Sequence, residues 1–177
     1  MAIRLVLLAL GPALALGLGR FAYALVLPLM QSAWGLSYAQ AGILGSANTL
    51  GYLVGAFFSH RLLGRMGYRK GFFLALLLQG PILALTGMEN LPLVFSLRFL
   101  QGFLGALVFV GGAALLMALG SSGRSLGIYY GGVGLGLLLA PWLLWGAAEP
   151  TGAWARLGLY SLLLGLPALL AWPLLKE

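Results

Sequence analysis

The chain contains no cysteine, a single histidine and only three acidic residues among 177. Each shortage closes off a class of chemistry. Without cysteine there are no disulfides, no thiolate nucleophile and no cysteine-ligated zinc or iron–sulfur centre, although the compartment stays undecided on that count. His60, the one histidine, stands at the edge of a basic stretch, so an intramembrane serine protease, which needs serine and histidine together at membrane depth, is excluded. Metal-ligand clusters, glycine-rich phosphate loops and potassium-filter sequences are all missing. No enzymatic activity, cofactor or metal is expected.

Charge of either sign is scarce as well, at 7% of residues, against a hydrophobic fraction of 62% and a mean hydropathy of +1.03. No soluble domain of this length reconciles such a composition with a polar surface, so the chain reads as an integral membrane protein embedded in a lipid bilayer. Apolar runs recur throughout, which a cleaved signal peptide does not explain, and Met1-Ala2-Ile3-Arg4 opens an uncleaved first helix. The net charge of +7 does not indicate nucleic acid as a partner, because the cations are dispersed and cluster only at 61–70.

Taking ~20 apolar residues as one crossing, the sequence predicts six transmembrane helices at 4–29, 38–60, 71–88, 92–119, 125–146 and 154–175. The connections are short: 31–36, the basic stretch His60 to Lys70, Glu89 to Leu91, Gly120 to Gly123, and Ala147 to Gly152. A single all-α domain over 1–177 follows, with 1–88 and 91–177 as candidate three-helix repeats of inverted orientation. Leu76-Leu77-Leu78-Gln79-Gly80-Pro81 echoes Leu162-Leu163-Leu164-Gly165-Leu166-Pro167 at equivalent places in the two halves.

Orientation follows from the loop cations. With the N-terminus in the cytoplasm, Arg4, Arg61, Arg65, Arg69, Lys70, Arg124 and Lys176 fall on the cytoplasmic side and Arg156 alone outside. Trp34, Trp142, Trp145 and Trp154 then gather at the outer interface, and both termini are cytoplasmic, in a cell membrane.

Small residues mark where helices approach closely. Ala47, Gly51, Gly55 and Ser59 recur every four residues in the second helix, and Gly127/Gly131 and Gly132/Gly136 form two such pairs in the fifth. Pro81, Pro141 and Pro167 are placed to bend their helices.

Two arginines, Arg20 and Arg98, lie inside the predicted crossings. A guanidinium at bilayer depth costs at least ~2.5–3.5 kcal/mol, so each must face protein, water or a bound anion. Tyr23 and Gln101 follow them at a spacing of three, which puts each pair on one helical face. With Asn48 they make five candidate substrate-binding residues: Arg20, Tyr23, Asn48, Arg98 and Gln101. For Arg98 the alternative is a structural donor to neighbouring carbonyls or a partner for Glu89 or Glu149. Asn48, Gln79 and Gln101 equally suit interhelical hydrogen bonds. Tyr129 and Tyr130 read as interfacial anchors.

Gly19-Arg20-Phe21-Ala22-Tyr23, Leu27 to Gln31, Gly35 to Gly42 and Gly45-Ser46-Ala47-Asn48 resemble the opening of the major facilitator superfamily's YbfB/YjiJ-type branch. Arg98-Phe99-Leu100-Gln101-Gly102 is similar to the superfamily's fourth-helix arginine motif. Gly55, Ser59, Gly67, Arg69 and Lys70 resemble its conformational-switch loop, with Ser59 standing where an aspartate is usual. The resemblance covers the N-terminal six-helix half of a usual member. It implies a secondary transporter of a small solute, working by alternating access, while Arg20 and Arg98, with no acid in any predicted crossing, bias that solute toward an anionic or strongly hydrogen-bonding class. Such a unit needs a partner: a homodimer or a separate second half. The competing readings are a non-transporting membrane scaffold or partner subunit, and a truncated transporter half.

Overall fold

The computed structural model describes residues 2–120 and 122–175. Lys176, counted above among the basic residues, and Ser121 of the fourth connection lie outside them. Within the described residues the chain folds into six helical rods.

The first rod is composite. Helix α1 (Ala2–Pro12) passes into a π-helical stretch, Ala13–Phe21, and then into α2 (Tyr23–Trp34). Five further α-helices follow: α3 (Tyr38–Met66), α4 (Tyr68–Leu85), α5 (Leu91–Ala118), α6 (Gly123–Leu143) and α7 (Pro150–Ala168), the last extended by a 3-10 turn, Leu169–Leu174. Ser37 and Gln40 cap α3 reciprocally, side chain to backbone in both directions. Asn90 accepts from the Leu93 N–H to start α5.

Five of the six rods are long and apolar enough to cross a membrane. The exception is α4, expected as a span at 71–88. Its 18 residues begin at Tyr68 and include Arg69 and Lys70 in the first turn. The basic stretch His60 to Lys70, expected as a loop, is helical on both sides of one residue: Gly67, at φ 87°, is the entire break. That conformation suits only glycine, which explains how so sharp a reversal fits between two helices.

The glycine stripes do what their spacing suggests, though not all of them. A Cβ at Gly51 would overlap the Phe99 carbonyl, and one at Gly102 the Asn48 carbonyl, so α3 and α5 touch backbone to backbone. Gly132 and Gly136 press in the same way on the Ala9 and Ala13 carbonyls of the first rod, whereas Gly127 and Gly131 face open space. Gly80 on α4 meets Leu162 and the Gly158 carbonyl on α7, so the two echoed leucine segments face each other.

Trp154 and Tyr129 are not interfacial. Trp154 is fully buried and stacks on Tyr23 at 6.4 Å between ring centroids. Tyr129 is equally buried, and its hydroxyl donates to the Val108 carbonyl at 2.7 Å. Glycine made room for it: a Cβ at Gly112 would strike the Tyr129 hydroxyl. Trp142 and Trp145 remain exposed at the end of α6, as expected of an aromatic belt.

Candidate functional site: a buried arginine joint and an open arginine face

The π-helical stretch is the local feature that organises the interior. The Ala22 N–H reaches back five residues to Gly17, and the Val26 N–H only four, to Ala22. Between those bonds four carbonyls, of residues 18 to 21, face at most three N–H groups, of residues 23 to 25, and the Leu25 N–H is itself drawn to the Ala22 carbonyl at 3.0 Å. At least one carbonyl must find a donor outside its own helix.

Arg98 on α5 supplies it. One guanidinium nitrogen donates to the Gly19 carbonyl at 2.9 Å and to Gln101 Oε1 at 2.8 Å, and a second approaches the Arg20 carbonyl at 3.5 Å. The guanidinium also lies 4.4 Å from the centroid of the Tyr23 ring and 5.8 Å from that of Trp154. Its residue exposure is 1%. A charge sealed this far from water persists because carbonyl dipoles and ring faces replace its hydration.

The other candidates extend this joint. Gln101 donates to Thr86 Oγ1 at 2.6 Å, Gln79 to the Gln101 carbonyl at 3.1 Å, and Asn48 to the Arg98 carbonyl at 3.1 Å. The Tyr23 hydroxyl donates to the Ala41 carbonyl at 2.8 Å, tying α2 to α3. Arg98, Gln101, Asn48 and Tyr23 thus come together inside the bundle. Asn48 Oδ1, Gln79 Oε1 and Arg98 Nε have no hydrogen-bond partner there, so the network is incompletely satisfied.

Arg20, the fifth candidate, points elsewhere. It is only half-buried, and its guanidinium donates to Thr49 Oγ1 at 3.3 Å while lying 5.0 Å from the Tyr52 ring centroid. Because α2 runs on to Trp34, Arg20 lies about 21 Å from that helix end, deeper than the ~14 Å implied by a span ending at residue 29. From Tyr52 the aromatic surface continues to Phe109 at 6.3 Å and from Phe109 to Tyr130 at 4.5 Å. Four rods therefore contribute to one partly open band: Arg20, Thr49 and Tyr52, Phe109, and Tyr130.

Sequence reasoning missed Thr49, Tyr52 and Phe109 and placed Tyr130 in the interface. Spacing held a partial signal, since Asn48 and Tyr52 stand four apart and share a helical flank. Nothing in the sequence linked them to residues on α5 and α6.

The switch-loop residues divide similarly. Gly55 packs on the Phe103 carbonyl, and Ser59 turns back onto the Ala56 carbonyl at 2.8 Å. Arg69 donates to the Leu175 carbonyl at 3.0 Å and stacks 4.6 Å from the Trp172 ring centroid, fastening α4 to the 3-10 end of α7. Lys70 is exposed. His60 shares a 2.7 Å hydrogen bond with the Tyr68 hydroxyl across the Gly67 break.

Apolar rods joined by backbone contacts, with one arginine sealed among them and another on an open flank, define a multi-pass helical membrane protein. The family model described as the uncharacterised MFS-type transporter YbfB matches residues 12–177, and the chain belongs to that family. The family is one of membrane transporters within the major facilitator superfamily. No curated protein matches the chain.

Proposed function

We propose that the protein is a secondary transporter that binds a small anionic solute at Arg20 and carries it by alternating access between two six-helix units. The observation that carries this reading is the division of labour between the arginines. Arg98 is consumed by carbonyls and rings, whereas Arg20 spends one of five N–H donors on Thr49 and keeps the rest on a partly open face. A guanidinium left in that state at membrane depth calls for an anion or an aqueous cavity. The mismatched hydrogen-bond register around Ala22, held by an incompletely satisfied network, supplies a joint at which the first rod has a second arrangement available.

Replacing Arg20 with Gln should lower binding of the transported anion about 10- to 100-fold, the loss expected when a charge-assisted bond is removed. Arg20→Lys should retain part of it. A panel of small carboxylates and phosphates, screened by thermal shift and then by uptake into proteoliposomes, provides the measurement. Uptake equal to wild type in both variants would give Arg20 a structural role.

The second unit in this proposal is another copy of the chain, oriented alike, covering the Arg20 band, with the basic ends of the helices in the cytoplasm. One cysteine-labelling experiment examines both points. Cysteine at Ser122 should react only from the cytoplasmic side. Cysteine at exposed Thr49 should cross-link between copies in native membranes, whereas Asn48, buried against α5, should not. Outside labelling at Ser122 would reverse the orientation, and no Thr49 cross-link would remove the homodimer.

A specific observation keeps the scaffold reading in play. Gly127 and Gly131 leave an uncovered small-residue strip on α6, a surface suited to another helix. A scaffold would show no anion-dependent thermal shift and no uptake.

A further inference from the structure

We propose that the cleft between the basic end of α3 and the middle of α5 is a binding site for an anionic phospholipid. The cleft has a volume of about 390 Å³ and is lined by Phe58, Arg61, Leu62, Arg65 and Phe103. Its chemistry is divided along its length. Arg61 and Arg65, four residues apart, present two exposed guanidinium groups at the end of α3. The three apolar side chains lie beside them, with Phe58 itself 44% exposed.

A free phosphate would engage only the arginines and leave the apolar wall unused. A phospholipid fills both parts: its phosphate pairs with the guanidinium groups, each able to fork two oxygens, while the start of an acyl chain lies on Phe58, Leu62 and Phe103. The lining holds no carboxylate to receive a choline or ethanolamine ammonium, so charge complementarity selects a lipid with net negative charge.

Position on the helix makes the cleft accessible to lipid. Phe58 stands nine residues after Thr49 and Arg61 nine after Tyr52, which at 100° per residue places them on opposite flanks of α3. A second six-helix unit covering the Arg20 band therefore leaves the arginine cleft facing the bilayer. The site does not depend on transport, because it needs only an embedded helix pair whose basic end meets the headgroup layer.

The test is native mass spectrometry of the full chain in detergent, titrated with phosphatidylglycerol or phosphatidylcholine of identical acyl chains, with glycerol 3-phosphate as competitor. Phosphatidylglycerol should be retained about tenfold more tightly, as two interfacial cations imply. The double substitution Arg61→Gln/Arg65→Gln should erase that preference at an unchanged thermal midpoint. Arg124→Gln, an exposed cation outside the cleft, should preserve it. Phe58→Ser should weaken both lipids while keeping the preference between them. Equal retention of the two lipids would overturn the proposal, as would an equal loss in Arg124→Gln. Full competition by glycerol 3-phosphate would make the site one for a free phosphate ester. A dimer that dissociates in the double variant with lipid retention unchanged would assign the cleft to a second copy.

Discussion

Replacing Arg98 with Gln should destabilise the bundle by about 3–5 kcal/mol, the cost typical of stripping one partner from a buried charged cluster. The Gly19 carbonyl, Gln101 Oε1 and the faces of Tyr23 and Trp154 all lose the group that satisfies them. Each orphaned polar atom costs about 1–3 kcal/mol, and the Gly19 carbonyl lies at the π-helical stretch, where its own helix offers one N–H too few. Arg98→Lys should recover only part of the loss, because a single ammonium on a flexible stem does not reproduce the planar fork. Thermal unfolding in mild detergent measures the difference. Arg20→Gln, on the open face, should leave the stability within about 0.5 kcal/mol of wild type. If Arg98→Gln unfolded like wild type and only solute binding suffered, Arg98 would be a ligand residue and not the support of the π-helical stretch.

Gly102→Leu should be comparably damaging, at about 3 kcal/mol or more, toward the upper end for overpacked sites. The first added carbon already overlaps the Asn48 carbonyl, which belongs to backbone and has no rotamer to yield. α3 and α5 must separate, breaking the Asn48 bond to the Arg98 carbonyl and the matching contact of Gly51 with Phe99. Gly127→Leu makes the internal comparison, since a Cβ there meets nothing within 4 Å and stability should hardly change. Similar losses for both glycines would show that helix propensity, and not close approach, sets the cost.

These two outcomes separate what was legible in the chain from what was not. Ala47, Gly51, Gly55 and Ser59 announced a packing stripe because small side chains at a spacing of four have one effect wherever they occur. Gly127 and Gly131 carry the same signal, yet remain uncovered while Gly132 and Gly136 do the packing. A spacing names a face; it does not name the neighbour. Trp154 and Tyr129 failed for a related reason: an aromatic with one polar atom suits a membrane interface and a buried hydrogen bond equally well.

Composition and periodicity by themselves determined the membrane class, the number of helical rods and the identity of the two costly arginines, because a bilayer penalises charge and unpaired backbone irrespective of fold. Tertiary structure alone decided which arginine is used up and which is left available. That depends on the one-residue shift in hydrogen-bond register before Ala22, which frees a carbonyl toward Arg98. It depends equally on the convergence of Tyr52, Phe109 and Tyr130 beside Arg20. The contacts made in these places join residues at least 21 positions apart, and no local pattern encodes them, because the free energy that sets them comes from packing between rods.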